Sequence, residues 1–134
     1  MRKKCISKDW YLKTPVHGEQ KIDLPYDHAV VQPRDPKAPG GAANGFFVGG
    51  SADYTKILSV DGRKVHRMLD IDGAYMCTQV FVNEGAVALH PHGYAPFLVD
   101  LTERLLPGEN KICLRTDDKQ PSTRWYSGAG VYRD

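Results

Sequence analysis

The sequence predicts an all-β domain built as a jelly-roll β-sandwich. Three observations point there. No segment sustains the 3.6-residue apolar period of a helix. Short runs with period-two alternation recur along the chain. Turn-forming clusters, drawn from 13 glycines and 9 prolines, separate those runs at fairly even spacing. Two sheets closed in jelly-roll fashion also leave few open strand edges.

The elements follow in order. Residues 9–13 and 21–24 read as short, weak strands. Residues 32–50 (QPRDPKAPGGAANGFFVGG) are loop chemistry, and the Phe46-Phe47 pair anchors at least one end. Residues 54–60 (YTKILSV) form a strand. In residues 65–72, Leu69 and Ile71 point one way and Asp70 and Asp72 the other, until Gly73 breaks the run. Residues 75–82 (YMCTQVFV) carry apolar groups on both faces, so a single central strand covered on both sides is expected. Asn83-Glu84-Gly85 reads as a hairpin turn, with positive φ tolerated by Asn and Gly, and residues 86–89 return. Residues 97–101 alternate as a strand. Residues 102–106 form one helical turn closed by Pro107-Gly108. Residues 110–116 alternate again, with Ile112 and Leu114 inward.

A chain of 134 residues suits one domain. Burying roughly two-thirds of its unfolded surface gives it one core without staples. The net charge of +2, from 18 basic and 16 acidic residues, leaves no electrostatic footprint for nucleic acid. No apolar run approaches a bilayer span, so no membrane partner is expected. The opening MRKKCISKDW has no apolar stretch to make it a secretory signal. Cys5, Cys77 and Cys113 form no CxxC pair, which argues against a zinc site or disulfide framework. Free thiols fit a reducing compartment, and a cytoplasmic location is expected.

Candidate functional residues fall in three places. Asp27-His28 could be an acid–base pair or a direct sugar contact, but strand neighbours point to opposite faces, so a loop-fixing role is the stronger expectation. His90 and His92 share a face in an extended segment. A metal is conceivable there, but further ligands are lacking, so no metal and no cofactor are expected. Arg124-Trp125-Tyr126 combine an aromatic face for sugar C–H groups with a forked donor for hydroxyls or a carboxylate. The same aromatics would equally serve to fill a core or a domain interface. No nucleotide, zincin or serine-hydrolase motif is present.

Six stretches occur in order: LPYD, GFFVGG…YTK, DIDGAYMCTQVFVNEG, HGYAPFLVDLT, PGENKI and RWYSGAGVYRD. Together they resemble the N-terminal sugar-binding domain of glycoside hydrolase family 2, the β-galactosidase type above all, from Trp10 to Asp134. The resemblance implies a galactose-binding-like jelly roll that precedes an immunoglobulin-like sandwich and a catalytic (β/α)₈ barrel. The two glutamates of a retaining mechanism sit in that barrel. A barrel takes about 250 residues, so this chain cannot contain it.

The resemblance further implies that loops of this domain reach the barrel mouth and help bind the terminal sugar. Asp27 and His28 would lie near that cleft, with residues 32–50 lining it. In several members an aspartate nine residues before the arginine of the terminal motif contacts the sugar. Here that place, nine before Arg133, holds Arg124, which becomes the expected contact beside Trp125 and Tyr126. The expected ligand is a β-galactoside shared with a catalytic domain, and homo-oligomer formation is compatible with the chain. RWYSGAGVYRD would then be an internal motif of a longer enzyme, with residues 131–133 opening a last strand and Trp125 and Tyr126 more exposed here than there. A free-standing carbohydrate-binding module and a purely structural interaction domain are the rival readings.

Overall fold

A computed structural model of the chain describes residues 1–119 and 128–134. Among the described residues eleven strands run in order: β1 Trp10–Lys13, β2 Gln20–Ile22, β3 Tyr26–Asp27, β4 Gly50–Val60, β5 Met68–Ile71, β6 Ala74–Tyr75, β7 Thr78–Val82, β8 Gly85–His90, β9 Phe97–Asp100, β10 Gly108–Asp118 and β11 Gly130–Val131. The described residues contain one short 3₁₀ turn, Gly41–Asn44, and no other helix. Both sheet layers are antiparallel. One is six-stranded in the order β2-β1-β4-β10-β7-β8; the other comprises β3-β11-β6 and the β5-β9 pair.

Alternation explains the layers. On β10, Ile112, Leu114 and Thr116 are buried while Lys111 and Arg115 are exposed. On β5, Leu69 and Ile71 are buried between exposed Met68 and Asp70. Trp10, Leu12, Tyr54, Val80, Ile112 and Leu114 of the large sheet meet Leu69, Ile71, Ala74, Val99 and Val131 of the opposite layer in one core. Both sheets hide one face and wet the other, as aligned sandwiches do. The all-β sandwich read from the sequence is the observed fold.

Two local expectations are corrected. Residues 75–82 are not one strand. Ala74–Tyr75 belong to the smaller layer and Thr78–Val82 to the larger, and the chain crosses between them at Met76 and Cys77, where Cys77 adopts φ 48°. The apolar groups that suggested a doubly covered strand serve two different layers. Gln79 is exposed, and the half-buried Phe81 lies on the outer face beneath the Arg115 guanidinium, 5.1 Å from the ring centre. In the β7–β8 hairpin, the positive φ values fall on Asn83 (48°) and Glu84 (70°), not on Gly85. Both central positions of this two-residue turn need that conformation. Val87 is then accommodated as a bulge, since Phe81 pairs with Ala86 and Val80 with Ala88.

Candidate functional site

Strand register gathers the interesting residues at one end of the sandwich. Gly50 pairs with Asp118, Thr78 with His90, and Gly130 with both Asp27 and Tyr75. Only two residues separate Tyr75 from Thr78, so the ends of the two layers coincide. The connections 28–49, 91–96 and 119–129 therefore leave from or return to this rim. The opposite end holds the Val82–Gly85 hairpin and the Val60–Gly108 pair.

The rim is polar inside. Of the buried polar residues described, Thr14, His28, Asn44, Thr78, Thr116 and Asp118 lie at this end, and Asn110 alone at the other. Both His28 nitrogens, the Thr78 and Thr116 hydroxyls, Asn44 Oδ1 and His90 Nε2 have no hydrogen-bond partner among the described residues. Their concentration makes this rim the polar end of the interior among the described residues.

Asp27 ends β3 at the rim. Its Oδ1 accepts the amides of Ala29 (2.9 Å) and Val30 (3.3 Å), which closes a turn, and the His28 amide donates to the Ala129 carbonyl at 3.1 Å. Gly128, with φ +75°, lies beside the carboxylate: a Cβ there would be 3.8 Å from Asp27 Oδ2. Gly128 stands four residues along the chain from Arg124. Asp27 is half-buried, and a carboxylate at such a place offers acceptors suited to hydroxyl donors.

His28 points inward and is only 2% exposed, so loop fixing suits its side chain better than ligand contact. Burial pushes its imidazole below the ordinary value. The Asp27 carboxylate and the Ala129 carbonyl oppose that shift, although the carbonyl is outside hydrogen-bonding geometry with either ring nitrogen. Arg124, Trp125 and Tyr126 lie outside the described residues.

The histidine pair is placed differently. His90 stacks on Phe97 with ring centres 4.1 Å apart, and His92 meets it edge-on at 6.0 Å. No group of three His, Cys, Asp or Glu side chains among the described residues is arranged to hold a metal. Gly93 is required by its neighbour, because a Cβ there would lie 1.9 Å from the Tyr75 ring. The Tyr132 hydroxyl donates to the Gly93 carbonyl at 2.5 Å, and the Tyr132 ring lies across Gly73. Tyr54 and Tyr75 also shape the rim. The sequence marks them only as strand aromatics, which is how core residues read.

No family model matches the chain. A β-galactosidase of Bacteroides ovatus is 39% identical over 118 residues, covering 84% of this chain and 14% of that protein. A solved glycosyl hydrolase family 2 member from Bacteroides cellulosilyticus superposes with a TM-score of 0.87 at 29% identity, covering 99% of this chain and 20% of that one.

The chain is a domain of the glycoside hydrolase family 2 type.

A Formosa agariphila protein, provisionally named a β-glucuronidase, is 29% identical to this family 2 domain over 114 residues, covering 83% of the chain and 11% of the relative. The domain thus spans less than a sixth of the length of either curated relative. Its rim is the only end to which the sequence-derived candidates Asp27 and His28 and the 32–50 loop all belong.

Proposed function

We propose that this domain is the N-terminal, non-catalytic sugar-binding part of a family 2 glycosidase, and that its rim completes the pocket in which a terminal β-galactoside is hydrolysed. The observation that carries the reading is the convergence of Asp27, the 32–50 loop and the Gly128–Gly130 return on one rim. Binding residues gather on loops held by a rigid scaffold, and here Asp27 at the end of β3 borders connections that carry the buried polar residues His28 and Asn44. Galactoside is favoured over glucuronide because the galactosidase relative is 39% identical and the glucuronidase relative 29%.

The mechanism assigns binding and not bond cleavage to these residues. Asp27 accepts sugar hydroxyls while its turn amides hold the carboxylate in place. The retaining reaction needs two carboxyl groups flanking the glycosidic oxygen, and these come from a separate catalytic part. Arg124, with Trp125 and Tyr126, remains the proposed partner of Asp27 on the sugar.

Two assays of the purified chain test the proposal. On a nitrophenyl β-galactoside it shows no turnover, and measurable turnover would place the chemistry within these 134 residues. Calorimetry with galactose, lactose and glucuronate gives millimolar or weaker binding, because half a pocket makes few contacts against the full cost of association. Binding much tighter than millimolar would instead show that the rim forms a complete sugar site by itself.

A further inference from the structure

We infer that His28 makes the turn after β3 an acid-sensitive latch on the rim, closed while the imidazole is neutral and opened when it takes up a proton. The side chain is 2% exposed, and neither ring nitrogen has a partner among the described residues. It borders a recess of about 20 Å³, room for about one water, beside Leu12, Thr14, His17, Gln20 and Val31. An imidazolium carries two N–H donors. In the closed turn neither finds an acceptor among the described residues, whereas in an opened turn both are hydrated.

The groups facing His28 decide the sign. On its own strand Asp27 attracts the proton, but Asp27 Oδ1 is already engaged by the amides of Ala29 and Val30. The carbonyl of Ala129, the residue before β11, also favours the proton. From the β1–β2 connection come Thr14 and His17, a second imidazole; β1 and β2 contribute Leu12 and Gln20, neither of them charged. Burial outweighs the two attractions, so the closed form resists protonation. A group whose closed-state affinity for a proton is lowered stabilises the closed state above its ordinary titration range, near pH 6.5, and loses that contribution as pH falls through it.

Opening the turn breaks the bonds His28 N to Ala129 O and Gln32 N to Ala29 O, and releases the amides that hold Asp27. It also frees the start of the 32–50 loop. The latch stands on the burial of His28 and on the hydrogen bonds of its turn. Only its consequence for sugar contact rests on the function proposed above.

Native-state hydrogen exchange of the whole chain, followed by NMR at pH 7.0 and pH 5.5 and corrected for intrinsic rates, tests it without any sugar. The amides of His28, Ala29 and Gln32 should lose protection over that interval, by up to roughly tenfold, the ceiling that linkage to one imidazole sets. Those of Ile112 and Leu114 in β10 should hold. His28→Phe, which keeps a buried ring that cannot titrate, should flatten the response. Equal loss in β10, no loss at the turn, or an unchanged response in His28→Phe overturns the inference. If that variant does not fold, the wild-type imidazole resonances decide: a midpoint below the ordinary histidine range supports the latch, and one at or above it refutes it.

Discussion

The hydroxyl of Tyr54 occupies the place where a side chain on Gly130 would begin. A Cβ on Gly130 would lie 1.9 Å from that oxygen and 3.0 Å from the Tyr26 carbonyl, and the glycine holds φ +100°. The Tyr54 hydroxyl donates to that same carbonyl at 2.7 Å. Tyr54 is fully buried, and burial raises its phenol far above any physiological pH, so the hydroxyl is always available to donate. One contact therefore joins the large sheet to the strand pair that carries Asp27.

Gly130→Ala should be among the most damaging single substitutions. It combines a clash with the buried Tyr54 hydroxyl and a conformation that L-residues avoid, and about 3 kcal/mol or more of stability should be lost. Thermal melting should show a fall of roughly 10 °C for a chain of this size. Tyr54→Phe removes that hydrogen bond, for a loss of about 1 kcal/mol. A melting temperature unchanged in Gly130→Ala would mean that the Tyr54–Gly130 contact is absent in solution.

Asn110 should matter nearly as much at the opposite end. It is 1% exposed; its oxygen accepts from the Leu106 amide (2.8 Å) and Asn83 Nδ2 (2.9 Å), and its Nδ2 donates to the carbonyls of Leu106 (2.7 Å) and Gly108 (3.1 Å). Asn110→Ala strands several buried polar groups at once and should cost about 3 kcal/mol in denaturant unfolding. Asn83→Ala combined with it should cost less than the two losses added, because the residues share a bond.

The Arg115–Asp53 pair should matter little. Its geometry is bidentate, at 2.7 and 3.0 Å, yet both side chains are about a third to a half exposed. Removing Arg115 should cost about 1 kcal/mol at most, with part of that loss disappearing in high salt. A loss of several kcal/mol would show that its packing over Phe81 outweighs the charge.

The thiols should react in a fixed order. Cys5 is exposed, and the Ser7 hydroxyl 3.4 Å away holds its thiol below the ordinary value; burial pushes the Cys113 thiol up. An aromatic disulfide reagent at pH 8 should label Cys5 first and Cys113 roughly tenfold or more slowly. Cys5→Ser should abolish the fast phase.

Alternation made β5, β9 and β10 legible, because each hides one face and wets the other. It failed at residues 75–82 for a physical reason. Tyr75 and Val80 are both buried, but in different layers, and a period-two pattern carries no record of which layer a side chain enters. The candidate site was legible only in part. Asp27 could be named from its place after a strand, but its turn-closing role depends on Gly130, more than a hundred residues away. The inward aim of His28 was not readable, since an imidazole is equally at home inside or out. Gly93 and Gly73 look like ordinary turn residues until Tyr75 and Tyr132 are seen lying across them. Arg124, Trp125 and Tyr126, the strongest candidates by chemistry, fall outside the described residues.

The position of β11 has a consequence for how the chain folds. Strands β3 and β6 find their ladder partner in β11, between them. During synthesis β3 is made about a hundred residues before the strand that will pair with it. A nascent chain can assemble β4, β7, β8 and β10 into a sheet, yet Tyr26 and Tyr75 wait for Gly130 and Val131 to arrive. Closure over so long a loop is slow, and the pairing that builds the rim is expected to form after the large sheet.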